Sequence, residues 1–281
     1  MKDFLIIVVG LVIGLAIGTA GAQGAQGSDA GDSRLAAMQT ADDSRGYEAV
    51  GRLDIGANTF CTGALISETL VLTAAHCLFE RGTGLRLDDG SIQFRAGLRS
   101  GRAAASRGVR RSLVHPGYDP ALADTPDAVA TDLALIELDQ PIRKSGIAPF
   151  ATLDRVHTGD EVRMVSYAIT RQEAPSMQET CHVLGDLDTA QVLSCDIDFG
   201  ASGAPIFAMP NGVPQIVSVV SAKADMAGTP VALVAPLGAN LDPLLARLAA
   251  TDGVFRRMSA PVRQSDRAED LASGGAKFLR P

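Results

Sequence analysis

Tryptophan is absent from this 281-residue chain, and with three tyrosines and nine phenylalanines the aromatic share is only 4%. Any core must therefore be filled by Val, Leu, Ile and Ala. The material for it is present, since 46% of residues are hydrophobic, enough for one large domain or two small barrels. An excess of positive charge is also missing. The formal net charge is -7, which argues against a nucleic-acid partner, because such binding is driven largely by Lys and Arg neutralising phosphates. Cysteines number four, with no CxxC pair, so zinc-binding spacing is lacking and no metal is expected. No internal repeat is found.

What is present begins with one long apolar run. Residues 4–20, "FLIIVVGLVIGLAIGTA", follow Lys2 and end in the small-residue pattern Ala20-Gly21-Ala22, as in a secretory signal peptide cleaved after Ala22. Asp3 cancels the charge of Lys2, and 17 residues is near the lower limit of a membrane span, so a retained anchor is the alternative. Either way the body of the protein is expected outside the cytoplasm, secreted or periplasmic, with no membrane contact once the signal is removed. Disulfides persist there, and Cys61, Cys77, Cys181 and Cys195 read most simply as two bridges.

Residues 23–46 are rich in Ala, Gly, Gln, Ser and Asp without apolar periodicity and read as a flexible lead-in or propeptide, with Arg34 and Arg45 as candidate processing sites. From Tyr47 to about Val234 many short apolar or alternating runs indicate an all-β sandwich or barrel. Only "GANLDPLLARLAA", residues 238–250, has helical spacing, with Leu241, Leu244, Leu245 and Leu248 on one face after a candidate Asn240 cap. The domain is therefore bounded at 47–250. Residues 251–281 form a basic tail expected to be solvated.

Three segments carry chemistry. "VLTAAHC", residues 71–77, ends an apolar run in His76 and Cys77, and Cys61 lies sixteen residues earlier, so a bridge would pin the turn bearing His76. "TDLALIELDQPI", residues 131–142, sets Asp132 just before a strongly apolar strand, where a partly buried carboxylate must find a donor. "GASGAPIF", residues 200–207, presents Ser202 on a tight small-residue loop whose backbone N–H groups can face a developing oxyanion. Taken singly, each has an ordinary structural explanation: a packed imidazole, a strand-start Asp, a Gly/Ala/Ser turn.

Together they resemble the chymotrypsin/trypsin-type serine proteases. The resemblance rests on "CTGALISETLVLTAAHC" (61–77), "TDLALIEL" (131–138) and "CDIDFGASGAPIF" (195–207), in the order His, Asp, Ser, with smaller agreements at "VHPGYDP" (114–120) and "VSYA" (165–168). It implies two antiparallel six-stranded β-barrels with a cleft between them, here followed by the C-terminal helix. It also implies that His76 is the general base, that Asp132 holds its tautomer, and that Ser202 is the nucleophile. Gly200 and Ser202 would supply the oxyanion-hole N–H donors. The implied substrate is a polypeptide, and no cofactor is needed. Cys181 and Cys195, either side of a hairpin turn "GDLDTA", are expected to be bridged, with buried thiols the alternative.

The departures are informative. Trypsin-like relatives place Asp before the nucleophile to pair with a new N-terminus; here Ala201 stands there, and no Arg-Ile-Val-Gly sequence opens the domain. Both absences point toward the bacterial extracellular branch that includes the glutamyl endopeptidases. For substrate binding the resemblance suggests Asp196 at the pocket base, with Asp198 competing, and Ser218, Val219 and Val220 as the strand that pairs with substrate. The remaining alternative is a catalytically silent homologue acting as a binding protein.

Overall fold

The computed structural model describes residues 32–56, 59–123 and 125–250, together with the backbone of residues 277–279. The expected signal peptide and the first part of the lead-in lie outside the described residues. The remainder of the lead-in departs from the expectation of flexibility. Its strand β1 (Ala36–Ala37) pairs with a later strand through Ala36 and Met177, Met38 donates its N–H to Pro175 O at 2.8 Å, and the Met38 side chain is buried. The short apolar run Leu35–Met38 docks it, with Leu35 packed on the second barrel and Ser33 N–H bonded to Thr180 O at 2.8 Å.

Six strands then close the first barrel: β2 (Val50–Ile55), β3 (Thr59–Leu65), β4 (Leu70–Thr73), β5 (Ile92–Ala96), β6 (Ala105–Val114) and β7 (Ala134–Leu138). Their order around the barrel is β2-β3-β4-β7-β6-β5, all antiparallel. Inward residues such as Leu53, Val71, Phe94 and Leu135 are fully buried, so the aliphatic core foreseen from composition is present. A short helix α1 (Pro126–Ala130), capped by the Thr125 hydroxyl, leads into β7.

After the two-residue β8 (Ala151–Thr152), a second barrel closes from β9 (Glu161–Ser166), β10 (Ser176–Leu187), β11 (Ala190–Leu193), β12 (Pro205–Ala208), β13 (Gln215–Met226) and β14 (Thr229–Pro236). The ring β9-β10-β11-β14-β13-β12 returns to β9 and is likewise antiparallel. Val162, Met164, Leu193, Ile206 and Val217 fill it. Helix α2 (Gly238–Ala250) follows and buries Leu241 and Leu244, with Leu245 and Leu248 packed partly against the core. It starts earlier than expected: Asn240 lies inside its first turn and donates Nδ2 to Pro236 O at 3.0 Å. A final strand, β15 (Lys277–Leu279), lies within the tail expected to be solvated and pairs with β13.

The scarce aromatics are concentrated where the halves meet. Tyr47, Phe150 and Phe207 form a cluster with ring centroids 4.7 to 6.2 Å apart. Tyr167 is buried, donates its hydroxyl to Leu98 O at 2.9 Å, and donates its backbone N–H to Thr62 Oγ1 at 3.0 Å. Both disulfides form: Cys61 to Cys77 and Cys181 to Cys195. Closing loops of this length removes about 3 kcal/mol of chain entropy from the unfolded state in each case.

His115, in the Pro- and Gly-containing segment "VHPGYDP", is only 8% exposed, with Nδ1 accepting from Gly117 N–H at 3.1 Å. Burial holds its pKa below the ordinary imidazole value. The unfolded chain therefore takes up the proton first. Stability contributed by the neutral ring is fully present above about pH 6.5 and is lost as pH falls toward the depressed native value. Urea midpoints measured between pH 7.5 and 5.5 should fall with decreasing pH, and His115→Asn should flatten that slope; an unchanged slope in the variant would assign the effect elsewhere.

Candidate active site

Asp132 is carried at the end of α1, where its N–H donates to Val129 O at 3.1 Å, immediately before the buried strand β7. It is 1% exposed, so its charge cannot be met by water. Three protein donors meet it. Asp132 Oδ1 accepts from His76 N–H at 2.8 Å, and Oδ2 lies 2.6 Å from His76 Nδ1 and also accepts from the Ser221 hydroxyl. Burial alone would raise the Asp132 pKa; attraction to the adjacent His76 ring and these hydrogen bonds outweigh it and hold the carboxyl below its ordinary value. An ionised carboxylate only accepts, so Nδ1 carries the imidazole proton and Nε2 is left with its lone pair.

His76 sits in a single 3-10 turn, Ala75–Leu78, after β4. The Cys61–Cys77 bridge fastens this turn to β3, and the His76 side chain is 8% exposed. Among the described residues, Cys61, His76 and Cys77 are the one group of three or more His, Cys or acidic side chains close enough to share an ion. Both sulfurs are in the disulfide and offer no thiolate.

Ser202 is in the loop between β11 and β12, flanked by Gly200 at φ +97° and Gly203 at φ +79°. Neither position accepts a side chain. A Cβ on Gly200 would lie 2.3 Å from the Phe60 ring, and one on Gly203 would lie 2.2 Å from both Thr62 O and Thr73 Oγ1. The loop thus rests against the segment that leads into His76. It is fastened by Thr62 N–H to Ser202 O at 2.8 Å, Thr62 Oγ1 to Gly200 O at 2.9 Å, and Gly203 N–H to Val220 O at 2.8 Å.

Two further bonds orient the peptide planes. Phe199 O accepts from Ile169 N–H at 2.7 Å, and Ala201 O accepts from Ala204 N–H at 2.9 Å. In a trans peptide the N–H points opposite to the C=O, so Gly200 N–H and Ser202 N–H are turned away from those partners. Among the described residues neither has a hydrogen-bond acceptor. The arrangement is suited to an oxygen that gains negative charge. Ser202 Oγ is buried and likewise has no partner among the described residues. Ala201 is buried in the second barrel, its N–H donating to Asp198 O at 3.0 Å.

The other expected site residues are distributed differently. Asp196 is exposed and lines a cavity of about 210 Å³ together with Ser194, Ile197, Lys223 and Val231, while Asp198 accepts from Phe199 N–H and Thr170 Oγ1. Ser218, Val219 and Val220 do not reach the cleft as a strand open to substrate. Ser218 and Val219 pair with β12 on one side and with β14 on the other, while Val220 pairs with Val234 and exchanges backbone bonds with Gly203 and Ala204. The cleft residue missed in the sequence is Ser221, one position further along, whose hydroxyl the Asp132 carboxylate selects. Its signal was the second of two hydroxyls on the apolar run "IVSVVS", residues 216–221. His182 pairs with Asp32 at 2.8 Å and His157 lies 3.7 Å from Asp160.

Comparison with known proteins agrees with this architecture. The family described as Trypsin matches residues 38–237. Trypsin 5G1 of Aedes aegypti is 35% identical over 88 residues, 31% of this chain and 29% of that protein. Granzyme M of Homo sapiens is 29% identical over 157 residues, 52% of this chain and 53% of that protein. The inactive serine protease PAMR1 of Homo sapiens is 25% identical over 126 residues, 43% of this chain and 15% of that protein. The chain thus spans at most about half the length of these curated relatives. A solved glutamyl endopeptidase, described as "Structure of Glu endopeptidase in complex with MPD", shares the fold at a TM-score of 0.61 and 20% identity, over 79% of this chain and 98% of that one. With the family match extending over most of both barrels, the chain belongs to the trypsin family of serine proteases.

Proposed function

We propose that the protein is an exported serine endopeptidase of the bacterial extracellular branch, with His76, Asp132 and Ser202 as its catalytic residues. The observation that carries this reading is the buried Asp132 carboxylate bonded to His76 Nδ1 at 2.6 Å, which leaves Nε2 basic. Export is supported by the two disulfides and by the family.

In this mechanism Ser202 Oγ attacks the carbonyl carbon of a peptide bond as its proton passes to His76 Nε2. The resulting oxyanion accepts from Gly200 N–H and Ser202 N–H, which cost no reorganisation because their peptide planes are already fastened. His76 then gives the proton to the leaving amine, and an acyl-enzyme on Ser202 remains. Water attacks that ester, losing a proton to Nε2, and the proton returns to Ser202 Oγ as the acid product leaves. Every group required is a side chain or a backbone N–H of this chain. Substrate would lie as an added strand on β13 beyond Val220, beside the nucleophile loop that Gly203 fastens to Val220 O.

The second reading is a silent homologue that binds a partner. The unpartnered Ser202 hydroxyl favours it; against it, a serine rotor of this kind often finds its base only when substrate docks.

A fluorophosphonate probe should label the purified mature protein, and Ser202→Ala and His76→Ala should each abolish labelling; a folded protein that resists the probe would favour the silent homologue. Asp132→Asn should reduce kcat by roughly 10⁴-fold with KM little changed, because the carboxylate that sets the tautomer is gone. Ser221→Ala removes one of three donors to that charge, a loss of about 1.5 to 3 kcal/mol at most, and should slow turnover by about tenfold or more. Gly200→Ala should cut kcat by about 10² to 10³ through displacement of one oxyanion donor; wild-type turnover in that variant would exclude Gly200 from the hole.

A further inference from the structure

We infer that residues 277–279 act as an intramolecular inhibitor, filling the edge of β13 on which a substrate strand would lie. The inference rests on the peptidase reading for its consequence, but the contact itself is independent of it. Strand β13 has two edges. One is paired with β14 from Ser218 to Met226. The other is paired with β12 only as far as Val219, after which Gly203 and Ala204 bond to Val220. Beyond that point the second edge passes Ser221, the residue bonded to Asp132, and would stand open. Strand β15 takes it: Lys223 faces Leu279, Ala224 faces Phe278 and Asp225 faces Lys277, in antiparallel register.

The direction of this pairing matters. Because β15 runs antiparallel to β13, it advances from Asp225 toward Ser221 and so toward the Ser202 loop. Lys223 and Ser221 are two residues apart, roughly 7 Å along a strand. A substrate whose carbonyl reached Ser202 and whose preceding residues extended along the same edge would need the positions β15 occupies. Main-chain hydrogen bonds dominate this kind of recognition, so the chain's own segment and a substrate compete for the same backbone groups. Tethering raises the effective concentration of such a segment to the order of millimolar when the connection spans the distance. A strand with only weak intrinsic affinity would then fill the edge most of the time. If the edge is about 90% filled, the apparent KM for extended substrates rises about tenfold while the chemical step is unaffected.

The test compares the full chain with a form ending at Ser273 and with a full-length Phe278→Pro/Leu279→Pro variant. Successive N–H groups alternate along a strand, so one of the two prolines must remove a donor directed at β13. Hydrolysis of dye-labelled casein at low concentration should rise about tenfold in both altered forms through KM. A synthetic peptide of residues 274–281 should restore inhibition of the shortened form competitively. Amide exchange at Lys223, Ala224 and Asp225 should quicken when the segment is removed, and the labelled peptide should bind the shortened form carrying Ser202→Ala. Equal casein rates in all three forms, with fluorophosphonate labelling intact, would overturn the inference while sparing the peptidase reading. Absence of labelling throughout would overturn the peptidase reading, and exchange and peptide binding would then decide whether the edge is filled by this segment.

Discussion

A buried carboxylate is the constraint around which the two barrels are arranged. Moving an ion of this kind out of water costs several kcal/mol even after relaxation, and Asp132 is 1% exposed. The cost is offset by three donors that come from separate parts of the chain. His76 contributes its backbone N–H and its ring from the turn after β4, and Ser221 contributes its hydroxyl from β13. The first belongs to one barrel and the second to the other. Asp132 therefore joins the halves at the cleft, and the same bonds that satisfy its charge fix which nitrogen of His76 is basic. Stability and the His76 tautomer are coupled at this one group, because loss of a donor leaves part of the charge unmet where water does not reach.

The loop bearing Ser202 is held in a different manner. Its position depends on backbone geometry: positive φ at Gly200 and Gly203, close approach to Phe60 and Thr73, and carbonyls tied to Thr62, Ile169 and Ala204. The neighbouring Ala201 contributes a buried methyl in place of a charge. At Ala201 the loop is thus fixed by apolar packing and by the bond from Ala201 N–H to Asp198 O, with no charged side chain at that position.

Much of this was legible from residue order alone, for identifiable reasons. The β-rich class and the helix around Leu241 and Leu244 were visible because apolar spacing expresses them directly, while the Cys181–Cys195 pairing was an expectation that came with the family resemblance. Asp132 stood out because a carboxylate before a fully apolar strand needs a partner. The strand that would meet substrate was placed too early. "IVSVVSA" contains two serines on an apolar run, and only the pairing of β12, which stops at Val219, distinguishes Ser221 from Ser218. His115 was hidden because Pro116 and Gly117 look like a surface turn, whereas tertiary packing buries the ring. The docking of Met38 and of residues 277–279 was hidden for a related cause: short segments without periodicity acquire structure only from the edge they join.

The most direct measurement is nitrogen-15 NMR of the His76 ring in the mature protein at a pH where the imidazole is neutral. The account requires the Nδ1–H tautomer, with a strongly deshielded proton on Nδ1 from the bond to Asp132 and an unprotonated Nε2, and requires that proton signal to be lost in Asp132→Asn. A neutral ring protonated on Nε2, or an Nδ1 proton signal unaffected by Asp132→Asn, would contradict it.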